Sequence, residues 1–168
     1  PPPRLTVALL VALMVFSITA PALAQGLDQT LEWPEVGFAI DYPAGWGLEA
    51  PDEQTRVLLS EPGYDVVNSD TPPSSPTVII LALSSDITGM MSSPQDILTM
   101  FAGEFGAGLT TPEVTTVAGY PALRVSGPVP DMVGFNSEIV IITADNYAYL
   151  VAALTPTDQN FSDQFTAM

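Results

Sequence analysis

The chain has 168 residues, with 19 Asp and Glu against 3 Arg and no Lys, His or Cys, for a formal net charge of −16. That length fits one domain, and an apolar fraction of 47% is enough to build a core. So few cations exclude nucleic-acid binding, which depends on Lys and Arg neutralising phosphates. The missing His and Cys remove most zinc, copper, haem and nucleophile chemistry.

Arg4 precedes the apolar run Leu5 to Thr19, and Ala22-Leu23-Ala24 follows it. A positive start, an apolar stretch and a small-x-small end describe an export leader cleaved after Ala24. Pro21 shortens the apolar run below the ~20 residues a spanning helix needs. With no Cys to carry lipid, the expected product is a soluble, extracytoplasmic protein that is not a lipoprotein. It has no integral membrane segment after cleavage and forms a single domain over residues 25–168. The chain opens Pro1-Pro2-Pro3 and stops at Met168 inside an amphipathic pattern, so a C-terminal truncation is also expected.

In the mature part, Phe38, Ile40 and Tyr42 alternate with Ala39 and Asp41, the pattern of a half-buried strand. Pro43-Ala44-Gly45 breaks it, and Trp46 to Glu49 reads as the return strand of a hairpin. Arg56 to Ser60 reads as a third strand, and the Pro-rich stretch Glu61 to Thr77 as a surface loop. Val78 to Leu83 and Tyr147 to Leu154 are apolar at both alternating sets of positions, as in strands covered on both faces. Glu138 to Thr143 pairs with the latter through Ala144-Asp145-Asn146. Tyr120 to Ser126 is a weaker strand whose Pro121 places it at a sheet edge or marks a strand start.

Ser93, Pro94 and Asp96 start a helix as cap, first residue and carboxylate, with an apolar stripe of Ile97, Met100, Phe101 and Phe105. Gly103, Gly106 and Gly108 end it. Thr157 is expected to cap a second helix with Phe161, Phe165 and Met168 on one side. Strands, helix, strands, helix predict an α+β domain: an antiparallel sheet flanked by helices on both faces, an α/β/α sandwich.

Four segments, in this order and spacing, resemble the PsbP-like family: Phe38 to Trp46 (FAIDYPAGW), Val117 to Val125 (VAGYPALRV), Tyr147 to Thr155 (YAYLVAALT) and the aromatic-bearing stretch Asp158 to Met168. That family takes in photosystem extrinsic proteins, a Ran-binding nuclear-transport factor and bacterial exported proteins of unknown function. The resemblance implies the same sandwich and an accessory or protein-binding role, with no cofactor. Fold alone does not fix function, and the two Arg left after the leader, Arg56 and Arg124, do not support docking on a photosystem.

No catalytic constellation accompanies this pattern. There is no GxSxG, GxxxxGK[ST] or GxGxxG, and a Ser nucleophile would have only carboxylates for a base. Asp86-Ile87-Thr88-Gly89 superficially matches an aspartic-protease signature but carries an extra residue before the Thr, and reads as a loop after a buried strand. A carboxylate pair of glycosidase type cannot be chosen among 19 acids. Calcium is the ion this composition suits, and the weak candidates are Glu49, Asp52 and Glu53, and Asp65 and Asp70 with Asn68 between them. Neither group has EF-hand spacing, and a solvated acidic loop is the simpler account of each. Tyr42 and Trp46 are expected in the core, and Trp33 as an isolated aromatic near the first strand. Arg124 is expected to pair with Glu138 across the sheet. Asn160-Phe161-Ser162 matches a glycosylation acceptor by pattern only. The reading that results is a non-enzymatic, exported domain that binds a protein partner in the cell envelope. The alternative is a calcium- or small-ligand-binding envelope protein.

Produced in a host that exports it, the protein should begin at Gln25, checked by intact mass and N-terminal peptide mapping. A secreted product retaining residues 1–24 would contradict the cleaved leader.

Overall fold

The computed structural model describes residues 26–168 except 62, 65–71, 89–92, 106–107, 130–131 and 145, and leaves aside the side chains of 87, 88 and 102–105. The expected leader therefore lies outside the described residues, as do Asp65, Asn68 and Asp70.

Two strands, β1 (Gln29–Trp33) and β2 (Phe38–Tyr42), form an antiparallel hairpin of their own, with Leu31 opposite Ile40. The main sheet holds β3 (Gly47–Glu49), β4 (Thr55–Leu59), β5 (Thr77–Ser84), β6 (Glu113–Val117), β7 (Tyr120–Pro128), β8 (Phe135–Thr143) and β9 (Tyr147–Pro156). Its order is β3-β4-β5-β9-β8-β7-β6, with every neighbouring pair antiparallel. A short helix α1 (Ser85–Thr88) follows β5, α2 (Pro94–Phe105) precedes β6, and α3 (Ser162–Ala167) follows β9.

At the centre, β5 and β9 run in register from Thr77 opposite Leu154 to Ser84 opposite Tyr147. Val78, Ile80, Tyr149 and Val151 point to one face, where Leu31, Trp33, Ile40, Tyr42, Phe161 and Phe165 bury them. Leu83, Leu150 and Ala152 point to the other, where they join Ile97 and Leu98 of α2 with Leu123, Ile139 and Ile141 of the sheet. Strands whose two side-chain sets are both apolar exist because both faces are covered, which is the condition their composition announces.

The helix start on the α2 side is built as expected. Ser93 Oγ donates to Asp96 Oδ2 at 2.8 Å, and the Asp96 N–H returns to Ser93 Oγ at 3.3 Å, a reciprocal cap with Pro94 as the first helical residue. Behind the helix the chain crosses tightly over β7. Thr110 N–H donates to Ser126 O at 2.7 Å, and a Cβ on Gly127 would sit 2.8 Å from Gly108 O, so only glycine admits that crossing.

Several expectations are corrected. Trp46 to Glu49 does not return against β2: residues 47–49 form β3 and pair with β4, while β2 pairs with β1. Gly45, at φ +86°, turns the chain after Tyr42 so that it leaves the hairpin layer and enters the main sheet. Pro121 does not put β7 at an edge, because β6 lies outside it. It is instead a strand start, since the β7–β8 register begins only at Ala122 opposite Ile142. Thr157 caps no helix: residues 157 and 158 are a turn, and α3 begins at Ser162 after Phe161, whose side chain makes no capping bond. The face opposite α2 is covered by the β1–β2 hairpin together with this six-residue helix, so its layer is part strand and part helix. Residues 85–88 are helical where a loop is expected.

Ile80 is completely buried in the hairpin-side core. Ile80→Ala should cost about 2–5 kcal/mol in denaturant unfolding, and Ile80→Asp or Leu150→Asp should abolish the cooperative transition by burying a charge. A normal melt of either Asp variant would show that the sheet is not covered on both faces.

Candidate functional site

Four aromatic side chains gather where the β1–β2 turn meets the ends of β6, β7 and β9. The turn is closed by Val36 N–H to Trp33 O and Gly37 N–H to Pro34 O, both 3.2 Å, with Gly37 at φ +70°. It delivers the Val36 carbonyl to the Tyr149 hydroxyl, which donates to it. Phe38 and Tyr149 lie with ring centroids 5.1 Å apart, and Tyr147 stacks on Tyr149 at 6.1 Å. With Glu35, Val117, Tyr120 and Asn146 these residues line an open cleft of about 400 Å³. The Tyr149 pKa is raised above 10.0, first by burial and then by the neighbouring Tyr147 and Tyr120 hydroxyls.

The β6–β7 hairpin forms one wall of this cleft. Its turn is Ala118-Gly119, both at positive φ (51° and 86°), the mirror-image turn that joins two strands through two residues. Val114 is 83% exposed, and Val117 and Tyr120 are 37% and 42% exposed.

A second cluster joins β7, β8 and α3. Arg124 Nη2 donates to Glu138 Oε1 in an ion pair, and to Thr166 Oγ1 at 2.7 Å. Ser162 Oγ donates to Glu138 Oε2 at 2.7 Å, and Thr166 Oγ1 to Ser162 O at 2.8 Å. Arg124 sits opposite Val140 and Glu138 opposite Ser126, so the pair is diagonal across the ladder, as the sequence led us to expect. Every group here is engaged within the domain, and the cluster ties α3 to the sheet.

The other cation beyond the leader, Arg56, lies over the Trp33 ring at 3.9 Å and donates to the carbonyls of Asp52 and Thr55 at 2.9 and 2.8 Å. Trp33 is accordingly buried, a core residue rather than an isolated aromatic. Tyr42 is buried in the core as expected, and Trp46 packs beside it, stacked on Phe161 at 5.5 Å.

Among the calcium candidates, Asp52 Oδ1 accepts from Gln54 N–H at 2.7 Å and Oδ2 from Thr55 Oγ1 at 3.0 Å. These bonds, the Gln54 N–H foremost, hold its pKa below 3.8. Glu49 ends β3 and Glu53 is exposed before β4. Among the described residues no three His, Cys, Asp or Glu side chains are grouped as metal ligands, and no helix is long and apolar enough to cross a membrane.

The arrangement is that of an antiparallel-sheet domain with the PsbP-like fold. The PsbP protein CyanoP from Synechocystis sp. PCC 6803 superposes with a TM-score of 0.51 at 17% identity, over 83% of this chain and 85% of CyanoP. A crystal structure from Bacteroides thetaiotaomicron VPI-5482 superposes with a TM-score of 0.54 at 13% identity over 82% of this chain, which spans only 44% of that one. The Ran-binding protein Mog1p of Saccharomyces cerevisiae follows at 0.49 and 11% identity, over 83% and 81% of the two chains. No known family description matches the sequence, and no curated protein does. At these identities the likeness shows the fold alone.

Tyr149 provides the pH-dependent test. Its folded-state pKa lies above the ordinary 10.0. Above that ordinary value the unfolded chain therefore loses this proton first, and stability falls as pH rises until the folded pKa is also passed. Tyr149→Phe should cost about 0.5–1.5 kcal/mol at neutral pH through the lost bond to Val36, and should flatten the alkaline decline in melting temperature. An identical alkaline decline in both proteins would contradict the assignment.

Proposed function

We propose that the chain is an exported, non-catalytic accessory domain that binds a protein partner through its β6–β7 hairpin. One observation carries the reading. Of the six large apolar side chains that stand exposed among the described residues, Val114, Val117 and Tyr120 share this single hairpin. Val117 and Tyr120 are a directly opposed pair on one face of it, with Val114 on the other, and exposed aromatic and apolar side chains are what protein interfaces select. Export is supported by the Arg4, Leu5 to Thr19 and Ala22-Leu23-Ala24 pattern. A non-catalytic role is supported by a composition without His, Cys or Lys, and by the engagement of both Arg124 and Glu138 in holding α3.

A small-ligand role draws on the tyrosine cleft, whose volume of about 400 Å³ falls within the ~300–1,000 Å³ of ligand pockets. The two readings separate experimentally. The paired substitution Val117→Asp with Tyr120→Asp should remove a stoichiometric partner captured from envelope extract, weakening it by roughly 30-fold or more. Leu48→Asp, on the opposite sheet edge, should leave capture intact. Capture equal in all three proteins would overturn the hairpin as the binding surface. A ligand bound in the cleft would be lost on Phe38→Ala, a variant that should leave partner capture through the hairpin intact.

A further inference from the structure

We propose that the outer edge of β6 takes up an extended, basic segment of the partner protein as an additional antiparallel or parallel strand of the sheet. The inference rests on the protein-binding reading above and names how the partner is held. Main-chain groups, rather than the exposed side chains alone, make the contact.

The main-chain geometry follows from the turn. A two-residue loop puts Val117 and Tyr120 in a hydrogen-bonded pair, and in an antiparallel ladder such pairs alternate with non-bonded ones. Thr115 opposite Ala122 and Glu113 opposite Arg124 are then the other bonded pairs. The N–H and C=O groups of Val114 and Thr116 consequently point away from β7. Among the described residues no strand lies on that side of β6. The same alternation turns the nitrogen of Pro121, which has no hydrogen to give, towards β8, where the ladder has not yet begun. The proline is thus accommodated without weakening the edge.

The two edges of the sheet are treated differently. At one end β3 is three residues long and runs into Pro51, a short edge that offers little to pair with. At the other, β6 reads Glu113-Val114-Thr115-Thr116-Val117, strand-favouring from Val114 onward, with no Pro or Lys inside it and an unbroken register. Natural sheets guard their edges with short strands, Lys, Pro or bulges to prevent pairing. Pro112 stands just before β6, but inside the strand there is none of these, and its two outward residues present four main-chain hydrogen-bonding groups, as strand-addition sites do.

Charge selects the occupant. Glu113 opens β6, and exposed Glu35 lines the cleft that Val117 and Tyr120 wall at its other end. Glu113 and Val117 lie on the sheet face that carries Arg124 and Tyr120, their partners in the β6–β7 register. A strand with cations four residues apart on one face therefore meets an acid near each end of β6. A second copy of this chain is disfavoured, because each copy carries a net charge of −16.

The probe is an acetylated, amidated heptapeptide of sequence TKTVTKT, with its two lysines four residues apart. Bound at the edge, it should slow amide exchange at Val114 and Thr116 by roughly tenfold or more, and its chemical-shift changes should centre on β6. The analogue with both lysines replaced by glutamate should bind at least about tenfold more weakly at low salt. Val114→Pro removes an outward N–H and no ladder bond, the setting in which edge strands accept proline. It should keep the melting transition and lose the peptide. If that variant fails to fold, peptides N-methylated at alternate residues decide: methylation of the set facing β6 should abolish binding, and methylation of the other set should spare it. Protection absent at millimolar peptide, binding unchanged by Val114→Pro, or an equal effect of the two methylations overturns the inference. Loss of the natural partner on Val117→Asp with Tyr120→Asp would still stand in that case. Conversely, edge binding of the peptide beside undiminished partner capture by that variant would keep the edge and remove the hairpin reading.

Discussion

The pairing of β5 with β9 is the constraint on which the rest of the structure depends. Both strands are apolar on both sides, so the pair is stable only where two separate layers exclude water. On one side α2 supplies Ile97 and Leu98. On the other no helix of comparable length is present among the described residues, and the β1–β2 hairpin carries the load through Leu31, Trp33, Ile40 and Tyr42. Phe161 and Phe165 close the remaining gap from α3, with Trp46 stacked against Phe161. The hairpin layer has a second consequence. Its turn must reach over the sheet, and the Tyr149 hydroxyl meets the Val36 carbonyl there and defines the floor of the tyrosine cleft.

Electrostatics is distributed with the same economy. Two cations serve nearly the whole folded chain, and both are committed to architecture. Arg124 binds Glu138 and Thr166 and so holds α3 on the sheet, while Arg56 caps Trp33 and orders the turn at Asp52. The acids greatly outnumber them, and the result is a surface whose field favours cationic partners and repels copies of itself. The fold leaves unconsumed the exposed apolar residues of the β6–β7 hairpin and the outward main chain of β6.

The central strands, the helix at Pro94 and the Arg124–Glu138 pair were legible because each has a strong local signal. Runs such as Val78 to Leu83 need two covered faces, and Ser93-Pro94-Gln95-Asp96 states its cap in four residues. The site was far less legible. β6 has alternation too weak to notice, since neither of its sides is deeply buried, and its turn is Ala118-Gly119 rather than the Asn-Gly or Asp-Gly that advertises a hairpin. β1 was hidden because Leu31 and Trp33 alternate with polar residues over only five positions. The tyrosine cleft draws on residues from 35 to 149, brought together by tertiary packing that no local spacing records. The strand Trp46 to Glu49 was visible, but its partner was not, because pairing depends on where Gly45 sends the chain.

Residue-by-residue amide hydrogen exchange on the native protein tests the account most directly, since it reads the buried centre and the open edge together. The account predicts that amides of Val78 to Leu83 and Tyr149 to Ala153 exchange only through global unfolding. In β6, protected amides at Thr115 and Val117 should alternate with fast-exchanging ones at Val114 and Thr116. Fast exchange throughout β5 and β9, or uniform protection along β6, would contradict it.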